Sequence, residues 1–156
     1  VLCERLSLEY EKFVIEMENA GKKMPTSIIE FSRGTEHGGY ERAYEHISDD
    51  VLKKAAILYV KVSFDESLRK NRKRFNPKRA HSILEHSVDE DKLRTLYGED
   101  DFLDFTAKNP DYVEIRGIKV PYVIFENEDD VTTARGPELG ARLEETMAKL
   151  WKNYKR

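Results

Sequence analysis

The strongest constraint on the fold is an apolar run at residues 56–62, "AILYVKV". Aliphatic and aromatic side chains fill the run, and only Lys61 interrupts it. A run of this kind is typical of a β-strand covered on both faces, as strands are in a parallel sheet flanked by helices. We therefore expect a central strand here.

Helical periodicity is present on both sides of this strand. Apolar residues at spacings of three and four indicate amphipathic helices, and capping or breaking residues mark their ends. The predicted helices span about 3–19, 40–52 with a break near Ser48, 64–75, 93–96, and a last helix that begins near Pro137.

Two further regions have strand patterns. Residues 28–31 are predicted to form a short buried strand. The segment "YVEIRGIKVPYVIFEN" is predicted to form two strands joined by a turn at Arg116 and Gly117. Because Pro121 has no N–H to donate to a ladder, we expect the second of these strands to begin at about Tyr122.

The alternation of strands and helices predicts an α/β fold, a three-layer sandwich with a mainly parallel sheet. No linker, internal repeat or low-complexity segment divides the sequence. We therefore expect a single domain over residues 1–156.

Glu30 and Arg33 follow the first predicted strand. In open α/β sheets, ligands bind at the carboxyl ends of strands. A carboxylate at Glu30 could hold a metal ion or accept a proton, and Arg33 could pair with phosphate oxygens. The alternative is a salt bridge between the two residues. Asn127, which follows the last strand, could likewise bind a ligand or cap the exit turn.

A basic segment follows the central strand. Its cations repel one another, and a polyphosphate or a nucleic-acid backbone would relieve that repulsion. The alternative is a solvated basic surface. These cations are Arg69, Lys70, Arg72, Lys73, Arg74, Lys78 and Arg79.

Composition limits the classes of function. The net charge of −3, from 27 basic and 30 acidic residues, does not point to nucleic acid. No apolar run reaches the roughly 18 residues of a membrane span. The single cysteine, Cys3, is compatible with a reducing compartment, and we expect a cytoplasmic protein without a membrane partner.

The order of these parts resembles the P-loop kinases of the nucleoside and nucleotide kinase type. The resemblance rests on "IIEFSRG", "ILYVKV", "SFDESLRKNRKRF" and "VPYVIFEN", and it covers most of the chain from Ser27. It implies the carboxyl-terminal two-thirds of a kinase-like fold. Residues 64–111 would be a lid-like basic helix with an insertion.

The same resemblance implies roles for particular residues. ATP and Mg²⁺ would be the cofactors, and a nucleotide and a small-molecule phosphate acceptor would be the partners. The implied catalytic residues are Glu30, also a metal ligand, Arg33, Arg69, Arg72 and Arg74, and the implied ATP-binding residues are Arg72 and Asn127.

One motif of that family is missing. No G-x-x-x-x-G-K-[ST] phosphate loop occurs in the sequence, although this loop holds the β- and γ-phosphates in such enzymes. The loop would precede Val1. We therefore expect either that the loop is missing through truncation or disorder, or that the protein is a degenerate relative.

Three functions remain open from the sequence. The first is an ATP- and Mg²⁺-dependent phosphotransferase that is incomplete without its phosphate loop. The second is a non-catalytic nucleotide- or nucleic-acid-binding domain that uses the basic segment 69–79. The third is a structural or regulatory protein whose charges are solvated. The sequence does not indicate an oligomeric state.

Overall fold

The computed structural model describes residues 2–79, 82 and 85–155. Within these residues, helices predominate over strands. The α-helices are α1 (Leu2–Asn19), α2 (Gly39–Glu45), α3 (Asp49–Leu52), α4 (Phe64–Arg74), α5 (Glu90–Tyr97), α6 (Phe102–Thr106), α7 (Val131–Ala134) and α8 (Pro137–Tyr154), and the 3₁₀ helices are Thr35–His37 and Pro77–Arg79.

The described strands form one small mixed sheet. Its strands are β1 (Ile57–Lys61), β2 (Tyr112–Ile115) and β3 (Ile118–Glu126), in the spatial order β1-β3-β2. β1 runs parallel to β3, whereas β2 runs antiparallel to it. A two-residue turn joins β2 to β3, and both of its residues, Arg116 and Gly117, have positive φ, as a type I′ turn requires.

The two neighbours of β3 pair with different halves of it. β2 pairs with residues Ile118 to Pro121 of β3, and β1 pairs with residues Tyr122 to Glu126 of β3. Pro121 therefore lies where one ladder ends and the other begins, and its missing N–H interrupts neither. The expectation that Pro121 lies at the start of this strand was wrong, because β3 begins at Ile118 and a proline is tolerated where no neighbour needs its donor.

The predicted fold class is corrected by this sheet. We expected a three-layer P-loop-like sandwich with a mainly parallel sheet. The described chain has only three strands in a mixed sheet and is rich in helices. The hairpin supplies the antiparallel pair, and it was the alternation of strand and helix patterns that favoured a larger parallel sheet.

The predicted strand at residues 28–31 is also wrong. These residues carry no regular secondary structure, and Ile28 is 91% exposed. A strand persists only where a neighbour satisfies its backbone groups, and the described sheet pairs with no residue of this segment. Glu30 therefore does not lie at the end of a strand.

The main core cluster lies on one face of the sheet, whereas Val123 and Phe125 of β3 are buried on the opposite face, against which α8 packs. Ile57 and Tyr59 of β1 pack in the main cluster with Phe102 and Tyr122, and the rings of Tyr59 and Phe102 stack with centroids 4.0 Å apart. The alternate residues Leu58 and Val60 are 38% and 47% exposed. The prediction of a strand covered on both faces was therefore wrong for β1.

The helix predictions made from local patterns are largely confirmed. α1, α4, α5 and α8 lie where the periodicity placed them, and the break near Ser48 separates α2 from α3. Ser63 caps α4 by accepting a hydrogen bond from the Glu66 backbone N–H at 3.2 Å. In the parts of the chain that the structure describes, no helix combines the length and apolar composition that a membrane span needs.

Candidate functional site

Arg69, the first cation of the basic segment, is held by two carboxylates. Its guanidinium donates to Glu66 through Nε and Nη2, both at 2.6 Å, and Nη2 also reaches Asp130 at 2.6 Å. Lys70 joins the same group, with its Nζ 3.2 Å from Asp130. These two cations and two carboxylates tie α4 to the loop that follows β3.

This network shifts the pKa values of its members. Hydrogen bonds from the Thr133 hydroxyl and then from Arg69 and Lys70 hold the pKa of Asp130 well below its ordinary value of 3.8. The hydrogen bonds from Arg69 likewise lower the pKa of Glu66. Both carboxylates therefore remain charged at neutral pH.

Arg72 and Arg79 are also paired within the molecule. Arg72 makes a fork-like pair with Glu90, with Nε–Oε1 at 2.5 Å and Nη2–Oε2 at 2.8 Å. Arg79 Nη1 donates to Glu85 at 2.9 Å. Four of the seven cations in the segment are thus neutralised by neighbouring carboxylates.

The other three cations are differently placed. Lys73, Arg74 and Lys78 are exposed, and none of them forms an ion pair with a described residue. Arg74 is the only one of the three predicted catalytic arginines in this segment whose guanidinium is not engaged by a described carboxylate.

Asn127 is buried and its side chain is used inside the protein. The amide Nδ2 donates to the Thr132 hydroxyl at 3.0 Å, and Oδ1 accepts from the same hydroxyl at 3.1 Å and from the Thr132 N–H. The Asn127 backbone N–H extends the parallel ladder to Lys61 O at 2.9 Å. The side chain thus holds the exit turn, and a role in binding adenine stays a prediction.

Glu30 and Arg33 are not brought together as a pair. No ion pair joins them, and Glu30 is exposed in an irregular segment. Among the described residues, no three His, Cys, Asp or Glu side chains lie close enough to share a metal ion. The surroundings of Glu30 therefore do not fit a Mg²⁺ site built from several carboxylates.

Arg33 instead lines a cavity of about 150 Å³ between the start of α1 and α2. Buried Cys3, Gly39 and Ala43 lie at the inner side of this cavity. Its basic lining comes from three segments: the loop before the first 3₁₀ helix, that helix, and α2 with the residue that follows it. The basic side chains are Arg33, His37, Arg42 and His46.

The charges around this cavity, which we call the Arg33 cavity, are one-sided. No described residue that lines it carries a carboxylate. Neither Arg33 nor Arg42 has a described ion-pair partner, whereas His46 Nδ1 lies 3.1 Å from Glu4 Oε1. The repulsion between the two guanidinium groups is therefore reduced by solvent or by a bound anion, and not by a described carboxylate.

Sequence reasoning found Arg33 but missed the rest of this cavity. Arg42 and His46 are four residues apart on a predicted helix and so share a face, which was a usable signal. His37 offered none, because its position depends on the 3₁₀ turn. The fold brings these residues together by packing α2 against the irregular segment that precedes it.

Comparison with known proteins assigns no family. No protein-family model matches the chain, and no curated protein and no solved structure does so either. The resemblance to P-loop kinases was wrong, since the small mixed sheet lacks the parallel arrangement it implied and no related protein supports it. The residue roles that followed from it stand only as predictions.

Proposed function

We propose that the protein binds the phosphate group of a nucleotide or of another small phosphomonoester in the Arg33 cavity. The observation that carries the proposal is the convergence of Arg33, Arg42 and two histidines on one small space that no described carboxylate lines. The planar fork of a guanidinium matches phosphate oxygens better than any other side chain does.

The volume of the cavity fits this class of ligand. At about 30 Å³ for each water in the liquid, its roughly 150 Å³ holds about five waters, which accommodates a phosphate group. Sites that enclose a whole cofactor are larger, from about 300 Å³ upward. The organic part of the ligand would therefore lie outside the cavity, along the exposed surface of α2.

The experiment is a titration of inorganic phosphate and of a nucleoside monophosphate, followed by calorimetry at constant ionic strength in chloride. We expect Arg33→Ala and Arg42→Ala each to weaken binding by about tenfold or more, the worth of one charge-assisted hydrogen bond. Arg5→Ala on α1 is the matched control, since Arg5 is exposed and outside the cavity. Equal affinity in all four proteins would refute the proposal.

Catalysis is a separate matter. Transfer of a phosphoryl group from ATP with Mg²⁺ stays a prediction from the sequence, because Glu30 is neither paired with Arg33 nor grouped with other carboxylates. The present proposal requires binding alone. We also propose a cytoplasmic location, supported by the buried thiol of Cys3, the only cysteine of the chain.

A second candidate is non-specific binding of single-stranded nucleic acid at the end of α4. It is favoured by the exposure of Lys73, Arg74 and Lys78 without described carboxylate partners. If only these three cations neutralise phosphates of a single strand, log affinity should fall with log salt concentration with a slope of about −2. If all seven cations of the segment did so, the slope would be about −5. A slope near −2 that Arg74→Ala reduces, while Arg72→Ala does not, would support this candidate. Absence of binding at low salt would exclude it.

A further inference from the structure

An apolar stripe is exposed along α8. Four side chains at spacings of four, four and three form it: Leu143, Met147, Trp151 and Tyr154. Met147 is 48% exposed and Trp151 is 57% exposed. At about 100° per residue, the stripe lies beside the face that buries Leu150, so it is not turned toward the sheet.

The two aromatic side chains of this α8 stripe pack on each other. The rings of Trp151 and Tyr154 stack with centroids 5.9 Å apart, and Lys155 Nζ lies 4.6 Å above the Trp151 ring. An aromatic pair beside aliphatic side chains is the composition that protein interfaces favour at their centres. Singly exposed apolar residues are ordinary, but a row of four on one helix is not.

The charges along α8 indicate what lies against the stripe. Acidic residues occupy the first part of the helix, namely Glu138, Glu144 and Glu145, where the one basic residue, Arg142, is paired with Asp129. Basic residues occupy the last part, namely Lys149 and Lys152, and Lys155 follows the helix end. Two such helices side by side in the same direction would place like charges together. In opposite directions, the acidic part of each would face the basic part of the other, and the helix dipoles would also oppose favourably.

We propose that the protein forms a symmetric dimer in which α8 packs antiparallel against α8 of a second copy. With the twofold axis at the middle of the stripe, Leu143 faces Tyr154 of the second copy. Glu144, which flanks the stripe on its solvent side, then faces the turn that carries Lys152 and Lys155 of the second copy. The interface is isologous, as a twofold dimer requires.

The first test is the mass in solution by sedimentation equilibrium. The wild type should show a concentration-dependent mass that approaches twice the 18.3 kDa of one chain. Met147→Lys should raise the dimer dissociation constant at least tenfold. Leu8→Lys is the matched control, because Leu8 is an exposed leucine on α1 away from the stripe, and it should leave the mass unchanged. A monomeric wild type would overturn the proposal.

The second test decides orientation and partner. The Leu143→Cys and Tyr154→Cys proteins are prepared in a Cys3→Ala background. Each protein is oxidised alone, and an equal mixture of the two is oxidised in parallel. In the antiparallel dimer the two Leu143 positions lie about 16 Å apart along the axis, beyond the roughly 7 Å that a disulfide allows. Only the mixture should therefore form a covalent dimer. Efficient self-crosslinking of Leu143→Cys would show a parallel contact and overturn the proposal.

Charge reversal gives a third readout. Glu144→Lys and Lys155→Glu should each weaken the dimer severalfold, and the double variant should recover most of the affinity because the opposed charges are exchanged. Loss of affinity in the double variant equal to the sum of the two single losses would refute the antiparallel arrangement.

Discussion

Asn71 holds the backbone of Val88 with both groups of its side-chain amide. Nδ2 donates to Val88 O at 2.7 Å, and the Val88 N–H donates to Oδ1 at 2.8 Å. Asn71 is buried in the second half of α4, between the half-buried Lys70 and the exposed Arg72. The pair therefore fastens the segment before α5 to the basic helix.

We predict that Asn71→Ala destabilises the protein by about 2 kcal/mol or more, because two backbone groups lose their partners at a buried position. Asn71→Asp should be at least as harmful, since a carboxylate of the same size cannot donate to Val88 O. Urea unfolding measures both. Lys73→Ala, an exposed change on the same helix, should be nearly neutral, and a comparable loss in Lys73→Ala would mean that the helix, not the amide pair, is being tested.

The contrast between Asn71 and its neighbours shows what the sequence could predict. Local patterns are sufficient for α4, since the Ser63 cap and the helical spacing act within a few residues. The partner of Asn71 lies 17 residues away. Nothing in the local pattern separates a buried amide from a solvated one. The functional prediction for this segment was therefore based on its cations alone and did not include Asn71.

The same reasoning explains the two larger errors. The segment at 28–31 has strand-forming residues, but a strand depends on a neighbour that the local sequence does not reveal. Pro121 is compatible with the middle of β3 only because the two neighbouring strands, β1 and β2, pair with different halves of β3. Pairing partners are set by the whole fold, whereas helices and caps are set locally.

Arg116 is predicted to stabilise the junction of α2 and α3. Its side chain donates to Ile47 O at 2.5 Å and to Asp49 at 2.7 Å, and it also reaches Glu45 O at the end of α2. A cation is favourable there because of the helix dipole. The backbone of Arg116 is in the left-handed region, with a φ of +47°. This conformation is unfavourable for arginine, and asparagine or glycine would adopt it more easily.

We therefore predict opposing effects at this position. Arg116→Asn should relieve the backbone and yet lose about 1–2 kcal/mol, because the carbonyl and carboxylate contacts are gone. Arg116→Ala should lose more, since alanine also disfavours positive φ. Thermal unfolding of the two variants, with Arg135→Asn as a control that shares the positive φ, checks the order. Greater stability of Arg116→Asn than of the wild type would contradict the capping role.

Asp101 is predicted to be the cap of α2. Its two carboxylate oxygens accept from the Tyr40 N–H at 2.6 Å and from the Glu41 N–H at 3.1 Å. A β-carbon added at Gly39 would lie 2.2 Å from the Asp101 carboxyl group. Asp101→Ala should cost about 1 kcal/mol, the usual worth of a cap. Gly39→Ala should also destabilise, because Gly39 has a positive φ as well.

A double-variant cycle separates these two causes. In Asp101→Ala the clash at Gly39 is removed, so Gly39→Ala should cost less there than in the wild type. The remaining cost reflects the backbone conformation alone. Thermal unfolding of the four proteins provides the measurement, and strictly additive losses would show that Gly39 and Asp101 do not compete for the same space.

Acid is predicted to weaken the network that joins α4 to the loop after β3. The pKa of Asp130 in the folded state lies below its ordinary value of 3.8, so the folded protein binds fewer protons than the unfolded chain as pH falls through that value. The stabilisation from Asp130 is fully present above the ordinary pKa and is lost as pH falls toward the folded value. Glu66, with an ordinary pKa of 4.5, adds to the loss in the same direction.

Asp130→Asn tests this dependence with little disturbance of the backbone, because asparagine accepts the positive φ of Asp130. At neutral pH the variant should melt below the wild type, and the gap should narrow as the pH is lowered from about 5 to about 3. Asp50→Asn, which alters an exposed carboxylate 3.9 Å from Lys53, should show a small gap throughout. A gap for Asp130→Asn that stays constant or widens in acid would mean that its charge does not stabilise the fold, and that the ion pairs with Arg69 and Lys70 are energetically silent.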